Sequence, residues 1–223
     1  MENKMNREII VDYYSDVLCV WAWIAQPRLD ELARQWQGRV TVNHHFVDVF
    51  GDAHRKIPER WGADDGYQRF NEHVRHCAEP FDASAVHERC WLDVQPRSSA
   101  QAHLLLRAVG LVAGAQALAN LALVIRRAFF CEAQDVSDME LLLELAGEAR
   151  IDVQALRDSL RDGSALAAYS SDLRRAADLG VRGSPTWILN EGRQTLYGNV
   201  GYRILHANIE ELLSHPEDEA SWC

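Results

Sequence analysis

None of the five cysteines belongs to a Cys-x-x-Cys pair. Cys19, Cys77, Cys90, Cys131 and Cys223 are odd in number and irregularly spaced. That pattern provides no disulfide framework and matches no zinc template, and it fits a reducing compartment in which all five thiols stay reduced. Positive charge is also scarce. The 23 Lys and Arg are outnumbered by 33 Asp and Glu, giving a net charge of −10 with no clustered basic face, so nucleic acid is not an expected partner. The first eight residues lack the apolar segment of a signal peptide, and no later run reads as long enough to span a bilayer. The expectation is a cytoplasmic protein without membrane contact. No internal repeat or low-complexity segment is present.

What is present is an ordinary globular composition, 48% hydrophobic and 25% charged over 223 residues. That length holds one large domain, or one domain with a sizeable insertion. Residues 8–14 form a mostly apolar run rich in β-branched and aromatic side chains and read as a buried strand. A helix follows from about Trp21 to Gln37, with Pro27 as a kink and Gly38 as its stop. Residues 40–47 read as the second strand, so the start is a βαβ unit with a parallel pair. From about Pro58 to Leu179 apolar positions recur at helical spacing. Within that block Ser137-Asp138-Met139-Glu140 reads as a capping box, and Gly180 closes the last helix. Strand signals return at Thr186–Leu189 and Gln194–Tyr197, joined by a turn at Asn190-Glu191-Gly192, and a final helix covers Tyr202–Leu213. The order βαβ, helical block, ββα describes an α/β domain interrupted between its second and third strands by an all-helical insertion.

The chemistry points to Cys19. It lies in Ser15-Asp16-Val17-Leu18-Cys19-Val20-Trp21-Ala22, where the first strand hands over to a helix. Free N–H groups and the dipole at a helix start favour an anion, so the thiolate is expected to form below the usual thiol range. Ala22 stands where a second sulfur would complete a redox motif. A buried structural cysteine is the alternative reading. Gly183-Ser184-Pro185-Thr186 leads into the third strand, a position that suits proline because no ladder N–H is needed there.

Taken together, these segments resemble the DsbA-like branch of the thioredoxin fold. Cys19-Val20-Trp21-Ala22 falls at the Cys-x-x-Cys position and Ser184-Pro185 at the cis-proline position. Further resemblance lies in residues 97–103, 128–138 and 180–190, and the chain is similar to cytoplasmic, FrnE-type DsbA-like proteins of bacteria. The resemblance implies a thioredoxin-like domain from residues 1–50 and 180–216, a helical insertion at 51–179 and a loose tail at 217–223. It implies a thiol–disulfide oxidoreductase with Cys19 as the single nucleophile. Val20, Trp21, Ala22, Ser184, Pro185 and Thr186 would line the substrate. There would be no tightly bound cofactor and no metal, and glutathione would enter as a co-substrate that resolves a mixed disulfide with a small-molecule or peptide thiol. Two other functions stay open. Kappa-class glutathione transferases and hydroxychromene-carboxylate isomerases share the fold with a hydroxyl residue in place of the cysteine. Their Gly-Gln-Asp-Arg type sequence differs from Gly198-Asn199-Val200-Gly201 here. A non-catalytic binding protein is the other.

Remaining chemistry-bearing residues read as structural. His73, His76 and Cys77, followed by His87 and Cys90, have helical spacing but fit no metal template. His44 and His45 alternate across a strand. His103 is a weak candidate for the cleft. Trp21 and Trp187 could wall a substrate or fill the core. Cys131 is expected inside, and Cys223 is the one thiol free enough to reach Cys19.

Overall fold

The apolar run at the N-terminus becomes β1 (Ile9–Ser15), the strand on which the sheet is built. The structure, a computed structural model, describes residues 8–216. The tail expected at 217–223, with Cys223, lies outside the described residues. β1 pairs in parallel with β2 (Val40–Phe46), from Ile9 opposite Val40 to Ser15 opposite Phe46. On its other side it runs antiparallel to β3 (Thr186–Leu189), which pairs with β4 (Gln194–Tyr197). The order is β2-β1-β3-β4, so residues about 170 positions apart in sequence meet at the middle of the sheet.

Alternation along β1 assigns its two faces. Ile9, Val11 and Tyr13 pack with Leu29, Leu32, Trp187, Leu205 and Ile209. These residues bring α2 (Gln26–Gln35) and α10 (Tyr202–Ser214) onto one face. Tyr14 points the other way, against Val47, Ala176 and Ile188. The single kinked helix expected over 21–37 is two helices, α1 (Val20–Ile24) and α2, joined at Ala25. Pro27 opens the second helix rather than bending the first, since a proline fits an early helical position where no N–H is required.

The first helix after β2 is α3 (Ala53–Trp61), which starts before the helical pattern read from about Pro58 and lies within the stretch 51–179 expected as the insertion. It continues through α4 (Gly66–Ala78), α5 (Cys90–Asp93), α6 (Ala100–Phe130), α7 (Met139–Glu148), α8 (Val153–Asp162) and α9 (Ser164–Asp178). The cap of α7 is Asp138, whose carboxylate accepts from Glu140 N, rather than Ser137. Asp152 caps α8 in the same way. The core of this region is aromatic: Trp91, Phe129 and Phe130 are fully buried, with the rings of Trp91 and Phe129 edge to face at 4.9 Å.

One expectation needs correcting. α6 is long and apolar enough to cross a membrane by length and composition. It is divided at Gly114, whose backbone (φ 87°, ψ 174°) is not helical, and the two pieces of 14 and 16 residues each fall short of a bilayer's thickness. Arg126 and His103, both fully buried, face protein on this helix.

A charge cluster joins the sheet to the insertion. His45 on β2 places Nδ1 2.9 Å from Asp172 on α9 and Nε2 3.2 Å from Asp12 on β1. Arg175 donates to Asp12 at 2.6 Å, and Asn43 donates to the same carboxyl. Two carboxylates on the two ring nitrogens require an imidazolium. Burial works against that charge, but the hydrogen bonds and charges of Asp12 and Asp172 outweigh it and raise the His45 pKa. The cluster also occupies the rim of β2, an outer strand: Arg107 donates to His44 O and Asp172 accepts from Phe46 N.

Because the folded pKa of His45 lies above its unfolded value, its stabilising contribution is complete below about pH 6.5 and is lost as pH rises through the folded value. His45→Gln is expected to cost about 1–3 kcal/mol near pH 6. The gap from wild type should narrow steadily toward pH 9, as read by urea unfolding across that range. An equal gap at every pH would show that His45 is neutral in the fold.

Candidate active site

The turn between β1 and α1 holds Cys19, and each of its backbone amides has a partner. Asp16 N donates to Ser184 Oγ at 2.9 Å, and Val17 N to His103 Nε2 at 3.1 Å. Leu18 N donates to Asp16 Oδ1 at 2.9 Å, and Cys19 N to Asp16 O at 3.1 Å. Ala22 N and Trp23 N then close on Cys19 O and start the helix. An amide-by-amide fit of this kind fixes the sulfur's position before any substrate arrives.

Asp16 is the centre of the arrangement. Its second oxygen accepts from Phe50 N at 2.7 Å and from Ser99 Oγ at 2.8 Å, and its side chain is fully buried. Burial pushes its pKa up to about 6, against those donors and the charge of Arg126. The Arg126 guanidinium is buried beneath the turn and donates to Ser15 Oγ at 2.8 Å. His103 is fully enclosed and does not line a cleft. Burial, with Arg126 adding to it, takes its pKa down to about 3, so the ring stays neutral. Nε2 accepts from Val17 N, which places the proton on Nδ1, 3.5 Å from Tyr169 OH.

Cys19 is 6% exposed, and its Sγ donates to Ser184 O at 3.2 Å. The expected depression of its pKa is reversed: burial raises it and the Asp16 charge adds to that, outweighing the Ser184 hydrogen bond and the backbone N–H groups of Ala22 and Trp21. The helix start contributes little because α1 has only five residues before the break at Ala25. The resting sulfur is a thiol held by a carbonyl.

The Ser184–Pro185 peptide is cis, and Pro185 O accepts from Gly198 N at 2.8 Å. The loop thus lies against the sulfur while β3 begins. Of the residues expected to line substrate, Trp21 and Ser184 are half-buried, and Val20, Ala22, Pro185 and Thr186 are buried. Thr186 Oγ1 donates to Gly183 O at 2.9 Å and so helps to shape the loop. Trp187 is fully enclosed against Tyr13 and forms no wall over the site.

The other described cysteines make their contacts elsewhere. Cys77 sits beside His73 at 3.6 Å. Cys90 is buried against Asn71, and burial pushes its pKa up to about 12. Among the described residues no group of three His, Cys, Asp or Glu is placed to hold a metal. Cys131, expected inside, is exposed at the end of α6, where its thiol donates to Ala85 O. His44 is half-buried, edge to face with Tyr13, and the burial of its ring lowers its pKa to about 3.

Three residues of the site were not among those expected from the sequence, although Ser99 lies in the segment 97–103 that resembles the family. Phe50 and Ser99 reach Asp16 from 34 and 83 positions away. Lys56 folds back to bond Val49 O, with its ammonium 5.5 Å above the Phe50 ring. Burial lowers its pKa, and Asp16, Asp48 and Cys19 oppose that shift, which places its charge beside the site.

This geometry has known counterparts. The profile of the DSBA-like thioredoxin domain matches residues 10–210. A probable DsbA oxidoreductase from Streptomyces coelicolor superposes with a TM-score of 0.73 at 19% identity, over 97% of this chain and 93% of that one. The cytosolic disulfide reductase DsbM from Pseudomonas aeruginosa gives 0.59 at 22% identity, over 90% and 98%. A 2-hydroxychromene-2-carboxylate isomerase gives 0.66 at 20%, over 95% and 100%. No curated protein matches the chain. At these identities the three structures share the fold. The match over 201 of the 223 residues decides the family: the chain is a member of the DsbA-like thioredoxin-domain family.

Proposed function

We propose that this protein exchanges thiols and disulfides through Cys19 alone, passing through a mixed disulfide that an external thiol resolves. The observation that carries the reading is the placement of Cys19 Sγ, 3.2 Å from the carbonyl that precedes cis-Pro185, with Ala22 where an internal resolving sulfur would stand.

In the first step Cys19–SH loses its proton to solvent and attacks one sulfur of R–S–S–R′. The Cys19–S–S–R bond forms, the S–S bond of the substrate breaks, and the electron pair leaves on R′S⁻, which takes up a proton. A second thiol R″–SH then attacks the R sulfur, giving R–S–S–R″ and returning Cys19 as a thiol. Glutathione is the small thiol we assign to the second step, in a reducing cytoplasm. That assignment is supported by Ala22, which cannot act, and by the free state of Cys19, Cys77, Cys90 and Cys131.

Incubation with oxidised glutathione is expected to add one glutathione to Cys19, read by intact-mass and peptide mass spectrometry, and Cys19→Ser should abolish that adduct. Tight binding of reduced glutathione with no adduct would overturn the reading in favour of a kappa-type transferase or isomerase.

Ala22→Cys is expected to restore internal resolution, because positions three apart on a first helical turn share a face. Ala22 is fully buried, so the added sulfur should cost about 1–3 kcal/mol of stability from overpacking. The variant should reduce insulin with dithiothreitol faster than wild type. A folded variant in which oxidant links no sulfur to Cys19 would show that the two positions do not face each other.

A further inference from the structure

We infer that Asp16 makes Cys19 a group that captures a thiol and keeps it, by opposing negative charge on the sulfur both before attack and on release. This inference rests on the exchange reading above and adds the direction in which the site is biased.

The geometry fixes the charge of Asp16. Its carboxylate accepts hydrogen bonds from three donors, Leu18 N, Phe50 N and Ser99 Oγ, while His103 Nε2 stands 3.7 Å from Oδ1, beyond hydrogen-bond distance. A protonated carboxyl would turn its own O–H toward one of them, so the arrangement belongs to the anion. This anion is buried and lies in the same tight turn as the sulfur, since Cys19 N donates to Asp16 O. In a water-poor surrounding its field on a neighbouring charge is poorly screened.

The remaining groups offset it only in part: Arg126, buried beneath the turn, faces Asp16 as a cation, yet the Cys19 pKa stays raised. Ser184 acts both ways: its carbonyl accepts from the thiol, while its hydrogen bond to the charged sulfur favours the anion. Tyr13 on β1 is neutral, its pKa raised by burial. The N–H groups of Trp21 and Ala22 favour the anion. Lys56 is the opposing cation, but its ammonium is drawn away to Val49 O and the Phe50 face.

The consequence follows from how a mixed disulfide breaks. When an external thiol attacks the R sulfur of Cys19–S–S–R, Cys19 must leave as a thiolate beside the Asp16 carboxylate. Release slows as the leaving thiol becomes less acidic. The burial of Cys19 also shields its own sulfur from direct attack. The mixed disulfide is therefore long-lived, and the site takes thiol groups from oxidised substrates: the substrate disulfide is reduced and R′–SH departs, while Cys19 is oxidised to the mixed disulfide. A site that stabilised its thiolate would instead give its partner up readily and act as an oxidant.

Two charge changes of opposite sign test this. Asp16→Asn removes the anion and leaves an oxygen for Leu18 N, and Lys56→Met removes the cation. For each protein the iodoacetamide reaction of Cys19 is followed against pH by peptide mass spectrometry, and release of glutathione from the Cys19 adduct by dithiothreitol is timed at pH 7. Asp16→Asn is expected to move the Cys19 alkylation midpoint down by about one pH unit and to speed release about threefold. Lys56→Met should shift both the other way. The wild-type midpoint should lie above that of Cys19 in urea, a measurement that holds even if Asp16→Asn fails to fold. Overturning results would be a wild-type midpoint below the unfolded one, or folded variants with unchanged midpoints and release rates. A wild-type protein that forms no glutathione adduct defeats the exchange reading, while an adduct whose lifetime ignores Asp16 and Lys56 defeats this inference alone.

Discussion

The buried Asp16 carboxylate is the constraint around which the rest of the molecule is arranged. Its partners come from the turn after β1, the loop after β2 and the residue before α6. The two chain crossings that enclose the site are thereby tied to the strand at the centre of the sheet. Leaving such donors buried without an acceptor costs about 1–3 kcal/mol each, so the loops have no comparable alternative position. The fold thus specifies the same group for two tasks. It closes the site mechanically, and it supplies an electrostatic field that a cysteine at a longer helix N-terminus would not experience.

The helical insertion supports the site from below. α6 contributes His103 and Arg126 to the underside of the turn, and Ser99, the residue before it, bonds Asp16 from the side. A neutral histidine accepting a backbone N–H is a rigid prop. Arg126 balances Asp16 in a region that would otherwise hold one unpaired charge, an arrangement costly to take apart. The same helix therefore looks like a membrane span by composition and acts as a scaffold for a polar cluster.

Much of the architecture was legible in the sequence because it depends on local pattern. The apolar run at 9–15, the turn at Asn190–Gly192 and the glycine at 180 each specify their own conformation. The errors share one origin, which is that burial is a property of the whole fold. Trp187 and Cys131 sit in segments whose secondary structure was correctly expected, but which side chain faces solvent depends on the layer packed above. The thiol of Cys19 is the sharpest case. Helix-start chemistry argues for a thiolate, and it loses to desolvation and to a carboxylate three residues earlier. The roles of Phe50, Ser99 and Lys56 were not readable for a related reason: they depend on contacts spanning dozens of residues, with no spacing rule to reveal them.

The capping of β2 has a consequence for the protein in a crowded solution. An outer strand is a template onto which another extended chain can add, and repeated addition leads to aggregates. Here the carbonyl of His44 and the amide of Phe46 are already satisfied by the Arg107 and Asp172 side chains. A foreign strand would have to displace both before it could align. The charge cluster that fastens sheet to helices thus also occupies two of the pairing groups on this rim and guards them against recruitment.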